Sequence, residues 1–315
     1  MKTLNYGIVS AASIAPRFIG AIQQTDHSKV VAIASRNHEK AQALANSHQV
    51  RKVYGSYADL YQDPEIDVVY ICNINDGHFN EIKEALLHKK HVVCEKPMVL
   101  HSYEVTDLFA LARKQGCFLM ETQKSVFLPV TNFVKNFMAE KQLGDLKQVD
   151  MSLSFSGRFN DDHWMYDAHQ GGAWIPSANY VIEYLTYLFD QYPDNYQAMV
   201  NRHYRGAIDE ASLTLRFDEI LCHAFITMRV DTDNTARFYF EKGHLEIANF
   251  WKAREVTVHT NKTSETHSFP TPFEMVYEVN HIHDCIEKGL LSSPIMSEKM
   301  TFECIKLVED VHRYL

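Results

Sequence analysis

Between Leu4 and Glu121, short β-branched runs alternate with stretches of helical period, and this alternation narrows the architecture more than any other property of the chain. The extended runs are Leu4–Val9, Lys29–Ser35, Asp67–Cys72, His91–Cys94 and Cys117–Glu121. The helical ones lie near Ile14–Gln24, Asn37–Ser47, Asp76–His88 and Ser102–Gln115. Strands separated by helices return to the sheet in one direction, so the pattern predicts a doubly wound parallel sheet. After Glu121 the rhythm changes. A helix near Pro129–Lys141 precedes longer extended runs at Leu146–Ser156, Gln197–His203, Glu210–Phe217, Leu221–Val230 and Thr235–Phe240. Helical periods recur at Ser177–Phe189, Phe273–Lys288 and Ser297–Tyr314, the last with Met300, Cys304, Leu307, Val308 and Val311 on one apolar face. The expected fold class is α/β, with a nucleotide-binding domain over residues 1–122. A C-terminal α+β domain over 123–315 follows, with a large, mostly antiparallel open sheet.

A chain of 315 residues with 46% hydrophobic content can bury cores for two domains. Its formal charge of -9, with no long run of Lys or Arg, argues against nucleic-acid binding. No stretch approaches the ~18 apolar residues of a membrane span. Small molecules are the expected partners. Cys72, Cys94, Cys117, Cys222, Cys285 and Cys304 are scattered without a Cys-x-x-Cys pair, which predicts reduced thiols in a cytoplasmic protein. Lys2 and Ser10-Ala11-Ala12 imitate a secretion signal, but Asn5 and Gly7 interrupt it.

The first strand runs into Gly7-Ile8-Val9-Ser10-Ala11-Ala12-Ser13-Ile14-Ala15, where a dinucleotide fold places a glycine-rich turn. Ser10 and Ala12 stand where the first two glycines would be. Small residues still permit a tight turn, and the amides of Ser13, Ile14 and Ala15 would open the next helix toward a pyrophosphate. An ordinary strand-to-helix turn fits the same residues. A site selective for NAD usually ends the second strand with an acid that holds the ribose 2′-hydroxyl. This chain offers Ser35-Arg36-Asn37, with Lys40 one turn on, so NADP is the expected cofactor and NAD the alternative.

Glu95-Lys96-Pro97 closes the run His91–Cys94. A lysine at the mouth of a parallel sheet sits where ligands collect, and its proline neighbour restricts the backbone and admits a cis bond. A surface lysine in a tight turn is the plainer alternative.

Taken together, these residues resemble the Gfo/Idh/MocA family of NAD(P)-dependent oxidoreductases over essentially the whole chain. The most specific marks are Glu95-Lys96-Pro97, Asn75-x-x-His78 and Met120-Glu121. Gly7-Ile8-Val9-Ser10-Ala11, Tyr180, and the ending Tyr277-Glu278-x-x-His281 with Gly289 and Ser293-Pro294 bring it near the branch that includes dimeric dihydrodiol dehydrogenases. The resemblance implies a Rossmann domain, and a second domain whose open sheet forms a homodimer. It also implies hydride transfer beside Lys96, and a cofactor site that includes Asn73, Asn75, His78, Glu95 and Lys96. The family commonly has an aspartate and a histidine after three glycines. In Gln170-Gly171-Gly172-Ala173-Trp174-Ile175-Pro176-Ser177-Ala178-Asn179-Tyr180 those positions are Pro176 and Tyr180.

Pro176 suits the first turn of the following helix but cannot titrate. Tyr180 can act as acid and base if Lys96 and the cationic nicotinamide favour its phenolate. Tyr180, Tyr184 and Tyr187 also fit a packed aromatic stripe. Substrate contacts are expected from Gln123 and, in the loop Arg158–Gln170, from Arg158 and Trp164. The expected activity is on an alcohol/carbonyl couple in a small polyol, sugar-like or dihydrodiol substrate. Pro176 leaves open a second reading, a nucleotide-binding regulator that has lost catalysis.

Asp161, Asp162, His163, Asp167 and His169 match no compact ligand motif, and His281-x-His283-Asp284 falls on different faces of a helix, so no metal is expected. No Ser-His-Asp or Cys-His arrangement or Walker loop supports hydrolysis or phosphoryl transfer.

Overall fold

The computed structural model describes residues 3–156, 159–160 and 162–314. The chain forms two compact units, residues 1–123 with 273–302 and residues 124–272 with 303–315.

In the first unit six strands, β1 (Leu4–Val9), β2 (Ser28–Ala34), β3 (Lys52–Tyr54), β4 (Val68–Ile71), β5 (His91–Glu95) and β6 (Leu119–Thr122), form a sheet in the order β3-β2-β1-β4-β5-β6. Every pair is parallel. The connecting helices are α1 (Ala15–Ile22), α2 (His38–His48), α3 (Tyr57–Gln62), α4 (His78–Leu87) and α5 (Ser102–Gln115). Helices on both faces leave β4 buried along its whole length, which is why it reads as a continuous apolar run. Phe18 of α1 stacks on Tyr70 of β4 with ring centroids 3.7 Å apart. Polar residues mark where helices start: the Asn37 side chain accepts from Lys40 N at 2.9 Å and Ser56 Oγ from Asp59 N at 3.2 Å. The chain leaves β1 toward one edge and returns through β4 toward the other, so the order reverses between β1 and β4. A parallel sheet opens a crevice at that reversal.

The second unit begins with α6 (Pro129–Glu140) and β7 (Leu146–Ser154). It continues through α7 (Ala178–Phe189), β8 (Asn195–Arg202), β9 (Ile208–Phe217), β10 (Ile220–Thr227), β11 (Thr235–Phe240), β12 (Gly243–Ala248), β13 (Glu255–Thr260) and β14 (Ser264–Ser268). These strands form an eight-stranded sheet, β14-β13-β12-β11-β7-β10-β9-β8. All neighbours are antiparallel except β7 and β10, which run parallel. In β9 the residues Ala211, Leu213, Leu215 and Phe217 are buried while Ser212 and Arg216 are exposed, the period of a sheet covered on one face. That covered face meets the helices: Phe240 packs on Phe137 of α6, and Phe238 on Tyr184 of α7.

The chain then enters α8 (Val276–Glu287) and α9 (Glu298–Tyr314). Segment 273–302 joins the first unit, whereas a single second domain over 123–315 was expected. Within the first unit Leu119 N donates to Leu291 O at 3.1 Å, and the Phe273 ring lies where a side chain at Gly20 would sit. All six cysteines are buried and none forms a disulfide. Among the described residues no helix is long and apolar enough to cross a membrane.

Candidate active site

At the end of β1 the chain turns through Ser10, which takes φ +88° although it is not glycine. The left-handed conformation demanded by the tight turn is therefore kept with a Cβ present, at a strain of ~1–2 kcal/mol. Ser10 N donates to Ala34 O at 2.8 Å, which anchors the bend to β2. Ala12, Ser13 and Ile14 complete the turn, and Ala15 N donates back to Ala12 O at 3.0 Å as α1 begins.

At the end of β2, Ser35 is buried and its Oγ accepts from Asn37 N at 3.2 Å, while Arg36 and Lys40 are exposed. The phenol of Tyr57, at the start of α3, lies within electrostatic reach of Arg36. Partial burial holds this phenol above its ordinary range, against the pull of the Arg36 charge. The element that carries Tyr57 was missed because β3 and α3 are too short to carry a period.

Beyond β4, Asn73 carries a buried Oδ1 with no hydrogen-bond partner. Asn75 is buried, and His78 opens α4. The His78 ring lies between two carbonyls, Nδ1 2.9 Å from Pro97 O and Nε2 3.0 Å from Asn73 O. Burial holds the imidazole below its ordinary pKa, and the neutral ring donates to one of these carbonyls at a time. His78 thus ties the loop after β4 to the loop after β5.

Glu95 Oε1 accepts from Tyr70 Oη at 2.6 Å. Burial raises the Tyr70 phenol far above its ordinary range, so it stays a donor. Half-buried Lys96 follows, and the Lys96-Pro97 bond is cis. Fully buried Glu121 accepts from Met98 N at 2.8 Å through Oε1, which fixes the backbone just past the lysine. Gln123, after β6, is buried.

An orphaned carboxamide oxygen, a left-handed first turn leading into α1 and a cation at the end of β2 all lie at the carboxyl ends of β1, β2 and β4, beside the reversal. They fit a nicotinamide dinucleotide, whose pyrophosphate needs amides and whose ribose end needs donors.

In the second unit Gly171 and Gly172 pass between other backbone segments. Gly172 N donates to Met165 O at 2.5 Å, and Ala173 N and Trp174 N to Ile208 O at 2.7 and 3.3 Å. Gly172 has φ +88°. Pro176 lies before Ser177, the residue that precedes α7, and not in the helix's first turn as expected. The turn is closed there by Ser177 N and Ala178 N, donating to Trp174 O at 3.1 and 2.8 Å.

The expected aromatic stripe diverges. Tyr184 is fully buried against Phe238 and Phe250, whereas Tyr180 is half-buried and its Oη accepts from Lys124 Nζ at 2.8 Å. Lys124 was not anticipated; the signal was a lysine set among buried residues, Gln123 to Phe127. Trp164 is half-buried in a short 3-10 turn, Trp164–Tyr166, and Arg158 lies outside the described residues, as does Asp161.

Among the described residues one group could gather around a metal, His244, Glu246 and His259, whose ligand atoms lie within 4.8 Å of one another. Arg237 Nε already pairs with Glu246 Oε2 at 2.7 Å.

The fold and site define a dinucleotide-dependent oxidoreductase with a separate sheet-bearing unit. Residues 4–123 match an oxidoreductase family with an NAD-binding Rossmann fold, and residues 131–246 match the GFO/IDH/MocA C-terminal domain. The chain is 31% identical over 305 residues to a trans-1,2-dihydrobenzene-1,2-diol dehydrogenase of Xenopus tropicalis, covering 93% of this chain and 92% of that one. The Mus musculus protein of that name is 31% identical over 314 residues, covering 93% and 91%. Among solved structures, a 3-ketoreductase from Actinomadura kijaniata in complex with TDP-benzene and NADP shares the fold. Its TM-score is 0.87 at 21% identity, covering 98% of this chain and 97% of that one. An aldose-aldose oxidoreductase from Caulobacter crescentus gives 0.88 at 19% identity, covering 99% and 97%. The chain belongs to the Gfo/Idh/MocA family of NAD(P)-dependent oxidoreductases.

Proposed function

We propose that this oxidoreductase prefers NADP and acts on the alcohol/carbonyl couple of a small dihydrodiol, polyol or sugar-like substrate. The observation that carries the reading is the gathering of Ser10, Arg36, Asn73 and Lys96 at the carboxyl ends of β1, β2, β4 and β5, around the reversal of strand order. Relatives named as dihydrobenzenediol dehydrogenases support the substrate class.

In this reading the amides of Ser13 and Ile14, with the bends at Ser10 and Ala12 and the start of α1 at Ala15, hold the pyrophosphate. Ser35, Arg36 and Lys40 hold the 2′-phosphate. Asn73, Asn75, His78 and Glu95 shape the nicotinamide end. The nicotinamide, when bound, supplies or takes up the hydride. Lys96 orients the substrate oxygen, Tyr180 exchanges its proton, and Gln123 and Trp164 contact the substrate.

The uncovered face of the second sheet, where Met199 is 79% and Leu221 40% exposed, supports a homodimer through that face. Six cysteines outside any disulfide support a cytoplasmic setting. The test follows NADPH absorbance with a panel of aldoses, inososes, 1,2-dicarbonyls and aromatic ketones, with Lys96→Met as control. Oxidation by one class, lost in the variant, is expected. Saturable NADPH binding with no oxidation by any class would refute the reading and leave a nucleotide-dependent regulator.

A further inference from the structure

We propose that Lys124 is a positioning residue that sets the ionisation of Tyr180 and aims its proton. The proposal rests on the assignment of Tyr180 as the acid/base. Lys124 Nζ lies 2.8 Å from Tyr180 Oη and 4.8 Å from the ring centroid. The two distances together put the ammonium off the C–O axis, in a lone-pair direction of the phenol, and not over the ring centre.

An ammonium carries donors and no acceptor, so in this bond Tyr180 must accept. Its own O–H is then turned away from Lys124, which is the geometry in which the phenol would serve a substrate oxygen. The pair is held rigidly. Lys124 is 5% exposed and opens a short 3-10 turn, Lys124–Phe127, in which every residue is buried. Thr131 of α6 donates its hydroxyl to Ser125 O at 2.5 Å, which closes the turn against the helix. The Trp251 ring lies 6.1 Å from the Tyr180 ring. A cation held there stabilises negative charge on the phenol oxygen more strongly than in solvent.

The step balances as follows for reduction. The substrate carbonyl carbon takes the hydride and its oxygen takes the Tyr180 proton, which leaves a phenolate beside the Lys124 ammonium. One proton from solvent restores the phenol, so each carbonyl consumes one reduced nicotinamide and one proton. In the oxidative direction the phenolate takes the alcohol proton, and the lysine raises the fraction of phenolate available at neutral pH.

The test is a tyrosinate-absorbance titration of the full-length protein, without cofactor or substrate. The Tyr180 component is isolated by subtracting Tyr180→Phe in each background. Its midpoint is expected at least about one pH unit higher in Lys124→Met than in the native chain. Lys124→Arg, which keeps the charge, should restore most of the shift, and Lys124→Gln, which keeps a donor without charge, should not. With a substrate in hand, the limb of the kcat profile assigned to Tyr180 should move by the same amount while NADPH affinity stays within about twofold. An unchanged Tyr180 midpoint in Lys124→Met, or equal midpoints in Lys124→Gln and Lys124→Arg, would overturn the proposal. Because the titration needs no turnover, it fails separately from the acid/base assignment, which fails if Tyr180→Phe turns over normally.

Discussion

The substitution Gly172→Ala offers a sharp test of how the second unit positions Tyr180. A Cβ at residue 172 would fall inside van der Waals contact with the Ile208 carbonyl oxygen, 2.9 Å from the Ile208 carbonyl carbon and 3.1 Å from its nitrogen. The obstacle is backbone on both sides, so neither partner can yield by rotating a side chain. At φ +88° an alanine adds left-handed strain of ~1–2 kcal/mol. Moving Ile208 O also weakens the bonds it accepts from Ala173 N and Trp174 N, at ~0.5–1.5 kcal/mol each. The total is ~3 kcal/mol, which for a unit of this size lowers Tm by about 6–12 °C. Gly116→Ala is the control: its φ is +68° but nothing lies within 4 Å, so strain alone should appear there. Thermal unfolding by circular dichroism, followed by urea titration, reads both. A loss below ~1 kcal/mol for Gly172→Ala, or equal losses for the two variants, would refute the close-approach argument.

Replacement of Arg36 by Ala is expected to weaken NADPH binding by about 10-fold and NADH binding by less than about 3-fold. The lower end of the charge-assisted range applies because Arg36 is exposed; fluorescence titration with both nucleotides would show equal losses if Arg36 does not meet the 2′-phosphate. Ser10→Gly should hold or raise stability by up to ~1 kcal/mol, because relief of the φ +88° strain offsets the entropy of a freer chain; a loss above ~1 kcal/mol in urea unfolding contradicts this. Burial would raise the Asp63 carboxyl, but the Lys52 ammonium 2.6 Å away outweighs it and holds the group below the usual range. A lowered folded pKa means the contribution is complete above the unfolded value near ~3.9 and disappears as pH falls through the folded one. The stability gap between Lys52→Met and the native chain should therefore be level from about pH 5 to 8 and close below about pH 4; a gap that persists at about pH 2 assigns it to packing.

Elements with strong periods and clear ends were legible. Leu4–Val9, Ser102–Gln115 and Thr235–Phe240 fall where periodicity alone puts them, because each presents a consistent buried face between turn residues. The three residues of β3 are all half-buried, and β14 is almost wholly exposed, so neither has an alternation to read. The parallel β7–β10 pair joins strands far apart in the chain, and its direction is fixed by tertiary packing that strand composition does not record. The residues at the strand ends could be picked out from spacing. Tyr57 and Lys124 could not, since each acquires meaning only through a partner distant in sequence, Arg36 for one and Tyr180 for the other.

Segment 273–302 completes the nucleotide-binding unit from the far end of the chain, with Phe273 against Gly20 of α1 and Leu291 O on the edge strand β6. During synthesis the first 123 residues leave the ribosome with α1 uncovered and that edge unpaired until residues 273–302 follow. Cofactor binding then reports a chain synthesised past this segment. Ribosome-stalled products should acquire NADPH protection from protease only once residue 302 is exposed, and protection of a product stopped at 123 would show that the early segment closes alone.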